Sequence, residues 1–238
     1  MGDQALIEGS SSGMSLRISR QHVVGLGVFL LAVELGLRYL HTVPFPWVAL
    51  EKQFNLNAEA TMSVWFSSTQ LFVIAMVAAY CAWKEQGSAG AMWRSGWLPI
   101  AGLFLYLSID ETAQIHELIG KWVGLHVPIT LFKKPVFYWL LAYLPAIALA
   151  VSYLGLFFWR RFRRRLPLLA LVGGGLLIWM TVLGLEAAGG LFTLSQEMHR
   201  HRVGWEEFFE MAGATCFLTA FLRYATTLPE RTHGEAAS

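Results

Sequence analysis

Charged residues are scarce in this sequence. Asp, Glu, Lys and Arg together make up 14% of the 238 residues, whereas a soluble domain contains about 25%. Hydrophobic residues make up 55% of the chain, and they are gathered in long blocks. This composition excludes a water-soluble globular protein and places the chain among membrane proteins.

Cysteine is rare in the sequence, and several common enzyme motifs are absent from it. Two cysteines, Cys81 and Cys216, are too few for a thiolate-ligated metal cluster. The chain has no phosphate-binding loop and no dinucleotide-binding fingerprint. His116-Glu117 begins like the zinc-protease motif His-Glu-x-x-His, but Gly120 stands where the second histidine belongs. None of these motifs predicts the chemistry of this chain.

Long apolar runs, by contrast, occur six times. Each is close to the length of about 20 residues with which a helix crosses a bilayer. Backbone groups in lipid must be paired within their own segment, which favours helices. The sequence therefore predicts an all-α, polytopic transmembrane helical bundle over residues 21–226. The predicted spans are 22–40, 61–83, 97–118, 135–159, 166–190 and 204–224.

Basic residues predict the orientation of these spans, because Lys and Arg are retained on the cytoplasmic side. With the N-terminus inside, eleven of the eighteen Lys and Arg residues are cytoplasmic, including the run 160–165. That run predicts contact with lipid headgroups rather than with nucleic acid. Residues 1–20 and 227–238 are predicted to be disordered cytoplasmic tails. We expect a multi-pass protein of the cytoplasmic (inner) membrane with its N-terminus inside.

Acidic residues concentrate at one level of the predicted bundle. Nine of the sixteen lie in a predicted span or within about a turn of one, always towards its outer end. Insertion scales give about 2.5–3.5 kcal/mol for an Asp at a helix centre, so such residues are usually functional. The sequence therefore predicts a carboxylate-rich polar site in the outer half. These acids are Glu34, Glu59, Asp110, Glu111, Glu117, Glu186, Glu206, Glu207 and Glu210.

Two short segments carry most of these acids. On a regular helix Asp110, Gln114 and Glu117 form one stripe with Glu111 on its flank, while His116 points elsewhere. Three further carboxylates fall on a single turn between residues 206 and 210. Three carboxylates so close together repel one another unless they are protonated or bridged by cations.

Oxygen ligands on facing helices, with an imidazole, are what helical bundles use to hold Fe, Mn, Zn or Mg. We therefore expect one or two divalent metal ions here, with His116 a ligand or proton shuttle only if its helix is distorted. The predicted metal ligands are Glu111, Glu117, Glu207, Glu210 and His116. The predicted supporting polar residues are Asp110, Gln114, Glu206, Glu186, Glu34, Glu59 and Ser63. Glu34 and Arg38, four residues apart, are expected to form an ion pair.

Three functions are compatible with such a site. The first is a metal-dependent enzyme acting on a lipid or other small apolar substrate, with residues 118–134 covering the site along the outer interface. The second is a proton- or cation-coupled transporter or binding protein that uses the same carboxylates. The third is a structural or accessory membrane subunit. The lipid bilayer is the one partner that the sequence predicts in every case.

The two acidic segments also carry a resemblance. Asp110-Glu111 with His116-Glu117, followed by Glu206-Glu207-x-x-Glu210 and Gly213, resembles a pattern of uncharacterised bacterial polytopic membrane proteins. The resemblance covers two of the spans. It implies that the two segments belong together and that the source is bacterial, and it implies no particular reaction.

Overall fold

The computed structural model describes residues 19–56, 58, 60–85, 87–127 and 131–228, without the side chains of residues 87–91. These residues form eight α-helices, with a 3₁₀ helix at Pro135–Tyr138 before α6, and no strand is present among them. The helices are α1 (Arg20–Leu40), α2 (Val48–Phe54), α3 (Met62–Lys84), α4 (Gly87–Ala113), α5 (Ile115–His126), α6 (Trp139–Phe162), α7 (Leu166–Leu191) and α8 (Gln196–Ala225). The prediction of an all-α protein is confirmed for this part of the chain.

Four helical segments are long and apolar enough to cross a membrane: Arg20–Leu40, Met62–Lys84, Pro135–Phe162 and Leu166–Leu191. They coincide with four of the predicted spans. The other two predicted spans fall on α4 and α8, which have 27 and 30 residues but carry the two acidic segments. The predicted tails lie outside the described residues except at residues 19, 20, 227 and 228.

Helix α8 occupies the centre of the bundle, where it packs against α1, α3 and α7. Its second half is almost entirely buried. Most of its side chains therefore pack against other helices rather than against lipid. Serine side chains begin α1 and α8, because Ser19 accepts the His22 N–H and Ser195 accepts the Met198 N–H.

An aromatic core fills one end of the bundle. The Trp97 ring of α4 lies 5.1 Å from Phe221 and 5.3 Å from Tyr224 of α8, measured between ring centroids, and 5.7 Å from Phe158 of α6. All four side chains are fully buried. Large interlocking rings leave little space between helices, so the open part of the bundle lies at the opposite end.

Helix α5 lies against the 3₁₀ helix at that opposite end. Two glycines allow the approach: a Cβ at Gly120 would stand 2.1 Å from the Val136 carbonyl oxygen, and one at Gly124 would stand 2.8 Å from the Pro135 Cα. The far side of α5 exposes Leu118, Trp122 and Leu125. An apolar face of this kind suits the membrane interface, where residues 118–134 were expected.

Candidate functional site

A cavity of about 730 Å³ lies between α4, α6, α7 and α8, and residues of α3 and α5 also line it. One end is acidic and the other is apolar. The acids that line it are Asp110, Glu111, Glu117, Glu186, Glu206, Glu207 and Glu210. All five predicted metal ligands line this cavity, and so do Asp110, Gln114, Glu186 and Glu206 of the supporting set.

The apolar end extends far along the helices. Lining residues on α6 run from Trp139 to Leu154, fifteen residues apart, which corresponds to roughly 22 Å of helix at 1.5 Å per residue. Leu103 of α4 and Leu176 of α7 face the same end. Tyr106 of α4 and Tyr143 of α6 join their hydroxyl groups across the cavity at 2.6 Å. The cavity therefore combines a polar end with a long apolar slot.

The first acidic segment does not form the regular helix that the sequence predicts. Helix α4 ends at Ala113, Gln114 adopts a left-handed conformation (φ 51°, ψ 41°), and α5 starts at Ile115. Asp110 stabilises the new helix start, because its Oδ1 accepts the His116 N–H at 2.9 Å. The prediction of one helix over 97–118, with Asp110, Gln114 and Glu117 on one stripe, is therefore wrong.

The break also turns His116 towards the acids. Its Nδ1 lies 2.6 Å from Oδ2 of Asp110, and its ring contacts the edge of Trp139 at a centroid distance of 5.1 Å. On a regular helix His116 would point away from the stripe, but the left-handed residue before it interrupts the helix and reverses that orientation. His116 is held by Asp110, and Glu117 forms an ion pair with Lys121 at 2.9 Å.

The left-handed conformation of Gln114 gives a stability prediction. A side chain with a Cβ costs about 1–2 kcal/mol in this conformation, whereas glycine adopts it freely. We expect Gln114→Gly to raise the free energy of unfolding by about 1 kcal/mol. The matched variant Ala113→Gly, in the last turn of α4, should lower it by about 0.5–1 kcal/mol. Unfolding in mixed detergent micelles measures both, and a loss of stability in both variants would contradict the geometry.

The second acidic segment contains a buried ion pair. Arg202 donates from Nη1 to Glu206 Oε2, one turn later on α8, and to the Leu185 carbonyl oxygen of α7 at 3.2 Å. Gly189 makes room for the guanidinium, since a Cβ there would lie 2.6 Å from Arg202 Cζ. Glu186 stands beside Glu206 and accepts the Trp139 indole N–H at 3.3 Å. Glu206 therefore has a counter-charge, the guanidinium of Arg202.

Glu111, Glu207 and Glu210 differ from the other acids of the cavity. Across the described part of the chain, the side chains of Glu207 and Glu210 form no hydrogen bond and no ion pair within normal distances. Glu111 has Ser67 of α3 beside it. The Trp179 indole holds α8 in place by donating to the Glu210 backbone oxygen at 3.0 Å. These three acids are the ones left to act on a bound molecule.

Two basic side chains of the cavity wall were missed by the sequence interpretation. Arg202 and Lys134 both line the cavity. The spacing of Arg202 and Glu206, four residues apart, is the signal that could have revealed the ion pair.

Two of the supporting residues, Ser63 and Glu34, do not line the cavity. Ser63 shares a hydrogen bond with Thr61 at 2.8 Å. The predicted residue Glu59 lies outside the described residues. Glu34 does not pair with Arg38 as predicted: its Oε1 accepts from Gln70 and Thr215, whereas Arg38 Nη2 lies 3.4 Å from His201 Nδ1 and its guanidinium lies over Trp205. The pair fails because each side chain finds partners on a neighbouring helix.

Metal ligation requires convergent side chains. Among the residues that the structure describes, no group of three or more His, Cys, Asp or Glu side chains is arranged to hold a metal ion. Glu111, Glu207 and Glu210 face one cavity from two helices, but as placed they do not form a ligand set. The predicted metal ions stay a prediction.

Comparison with known proteins identifies a family. A protein-family model described as "Domain of unknown function (DUF8692)" matches residues 23–225. The chain belongs to this family. No curated protein and no solved structure matches the chain. The match covers the whole bundle, so the cavity and both acidic segments lie within the family's domain.

Proposed function

We propose that this chain is an inner-membrane protein of six spans that binds a positively charged, amphiphilic molecule in its cavity. In this proposal α4 and α8 are the two additional spans and both termini are cytoplasmic. The Arg run at the junction of α6 and α7 supports this orientation, because basic connections stay in the cytoplasm. The acidic end of the cavity then lies in the outer half of the membrane.

The observation that carries the proposal is the division of a single cavity into an acidic end and an apolar end. Seven acids line it against two basic side chains, Arg202 and Lys134. Arg202 is already paired with Glu206, so the remaining acids outnumber the basic side chains of the cavity that could pair with them. A cationic group placed beside Glu207 and Glu210 would gain charge-assisted hydrogen bonds that no protein group now provides.

The apolar end favours a molecule with a long hydrocarbon part. Leu103, Ala150, Leu154 and Leu176 line it, and burying each CH₂ group of a ligand there is worth about 0.8 kcal/mol. The aromatic rings of Trp139 and Trp179 also line the cavity, and an aromatic ring attracts an ammonium group placed over its face. A long-chain amine satisfies both ends at once.

A bulky side chain in the slot tests the apolar half of the proposal. We expect Ala150→Phe to weaken the binding of a long-chain alkylamine about tenfold, which corresponds to the loss of two buried CH₂ groups. Binding of a short-chain amine, which needs only the acidic end, should not change. Equilibrium binding to the protein in nanodiscs measures both ligands.

Ala148→Phe is the matched control for this variant. Ala148 lies on α6 but does not line the cavity, and it is exposed on the surface of the bundle. We expect it to bind both amines as the unchanged protein does. Equal weakening by the two variants, or none by either, would contradict the placement of the hydrocarbon chain.

Metal-dependent catalysis on a lipid is our second proposal for the same site. The observation that favours it is that Glu111, Glu207 and Glu210 face one cavity without hydrogen-bonded partners for the last two. These oxygens would have to approach one another to bind a divalent ion. Elemental analysis of the protein after mild purification tests it: stoichiometric metal that Glu207→Gln removes supports this second function, and metal-free protein rejects it.

A further inference from the structure

A second polar cluster lies away from the cavity, where α1, α3 and α8 meet. Glu34 of α1 is fully buried, with 0% of its surface exposed. Its Oε1 accepts hydrogen bonds from Gln70 Nε2 of α3 at 3.0 Å and from Thr215 Oγ1 of α8 at 2.5 Å. Gln70 Nε2 also lies 2.6 Å from Thr215 Oγ1. A single carboxyl oxygen therefore joins three helices.

The hydrogen-bond donors of Glu34 are neutral. Gln70 and Thr215 carry no charge, and the nearby Cys216 of α8 is a thiol. In the part of the chain that the structure describes, no Lys, Arg or His forms an ion pair with Glu34. Arg38, one turn later on α1, is turned towards His201 and Trp205. Glu34 has no counter-charge among these residues.

The two oxygens of Glu34 are also in different surroundings. Oε1 accepts two hydrogen bonds, whereas the buried Oε2 has no hydrogen-bond partner within the described ranges. An ionised carboxylate spreads its charge over both oxygens and needs partners at each. A buried charge is kept only when it is paired, and otherwise the group becomes neutral. A carboxylic acid, with a carbonyl oxygen at Oε1 and a hydroxyl at Oε2, suits this asymmetry.

We infer that Glu34 is a proton-binding site, whose carboxyl group holds a proton on Oε2 at neutral pH and links α1, α3 and α8 as a neutral group. Glu34 does not line the cavity, so the inference does not rest on which ligand the cavity takes. Loss of the proton would put an unpaired charge against α8, the helix that carries Glu207 and Glu210. Glu34 is thus placed to couple a proton to the central helix.

Infrared spectroscopy of the purified protein at neutral pH tests this inference. A protonated carboxyl has its own C=O stretching band, distinct from the two bands of a carboxylate. We expect the difference between the unchanged protein and Glu34→Gln to show the loss of one protonated-carboxyl band. Glu197→Gln, which removes an exposed acid in the first turn of α8, should instead remove carboxylate bands. Loss of carboxylate bands in Glu34→Gln would overturn the inference.

A second variant keeps Glu34 and tests the assignment of its oxygens. Thr215→Val removes one hydrogen bond to Oε1 and preserves the shape of the side chain. If Oε1 is the carbonyl oxygen of a protonated group, the C=O band should move to higher frequency, because hydrogen bonding weakens that bond. An unchanged band, or no protonated-carboxyl band in either protein, would overturn the inference even if Glu34→Gln failed to fold.

Discussion

Replacing Glu207 and Glu210 together by glutamine is expected to weaken the binding of a long-chain alkylamine between about tenfold and a hundredfold. The reason is that hydrogen bonds to charged groups contribute about 1.5–3 kcal/mol, and each 1.4 kcal/mol is a factor of ten in affinity. Both side chains line the cavity, and glutamine preserves their size. Equilibrium binding in nanodiscs, with empty nanodiscs subtracted, measures the change.

The matched measurements separate charge from shape. An alkyl alcohol of the same chain length should bind the doubly substituted protein and the unchanged protein equally, because it has no charge to lose. Glu197→Gln removes an exposed acid of α8 outside the cavity, and it should leave amine binding unchanged. Equal loss of amine and alcohol binding would show that the substitutions damage the cavity rather than its charge.

The second large effect concerns the buried ion pair of Arg202 and Glu206. We expect Arg202→Met to lower the free energy of unfolding by about 3 kcal/mol, because removing one partner leaves a buried group without its counter-charge. The side chains of the two residues are 9% and 10% exposed, so Glu206 would stay largely buried after the guanidinium is removed. The Leu185 carbonyl oxygen also loses its donor. Unfolding in mixed detergent micelles measures the loss.

A double variant identifies the pair as the cause. Replacing a whole buried ion pair by neutral side chains is often nearly neutral. We therefore expect Arg202→Met with Glu206→Gln to recover most of the stability that Arg202→Met loses, as a double-mutant cycle would show. If the stability losses of Arg202→Met and Glu206→Gln, each measured singly, add up to the loss of the double variant, the ion pair does not account for the effect of Arg202.

The membrane class and the acidic layer could be predicted from the sequence because both depend on composition along the chain. Apolar blocks of sufficient length predict spans whatever their neighbours are. Four of the six predicted spans are helices that are long and apolar enough to cross a membrane. The predicted topology brought the acids of residues 110–117 and 206–210 together, since both lie towards the outer ends of their predicted spans. The structure places both segments in one cavity.

The details of the site could not be predicted because they depend on backbone conformation and on contacts between helices. Nothing in the sequence around Gln114 requires a left-handed residue, yet that residue alone turns His116 onto Asp110. Helical spacing suggested that Glu34 pairs with Arg38, but partners from α3 and α8 take its place. Spacing within one helix predicts which residues are neighbours, and packing decides which of them bind.

The binding of a long-chain alkylamine, compared with an alcohol of equal chain length, tests the central claim most directly. Both have the same apolar part, so the difference measures the acidic end of the cavity alone. The account predicts one saturable site per chain and binding of the amine at least about tenfold tighter than that of the alcohol. Equal affinities, or amine uptake no greater than in empty nanodiscs, would contradict it.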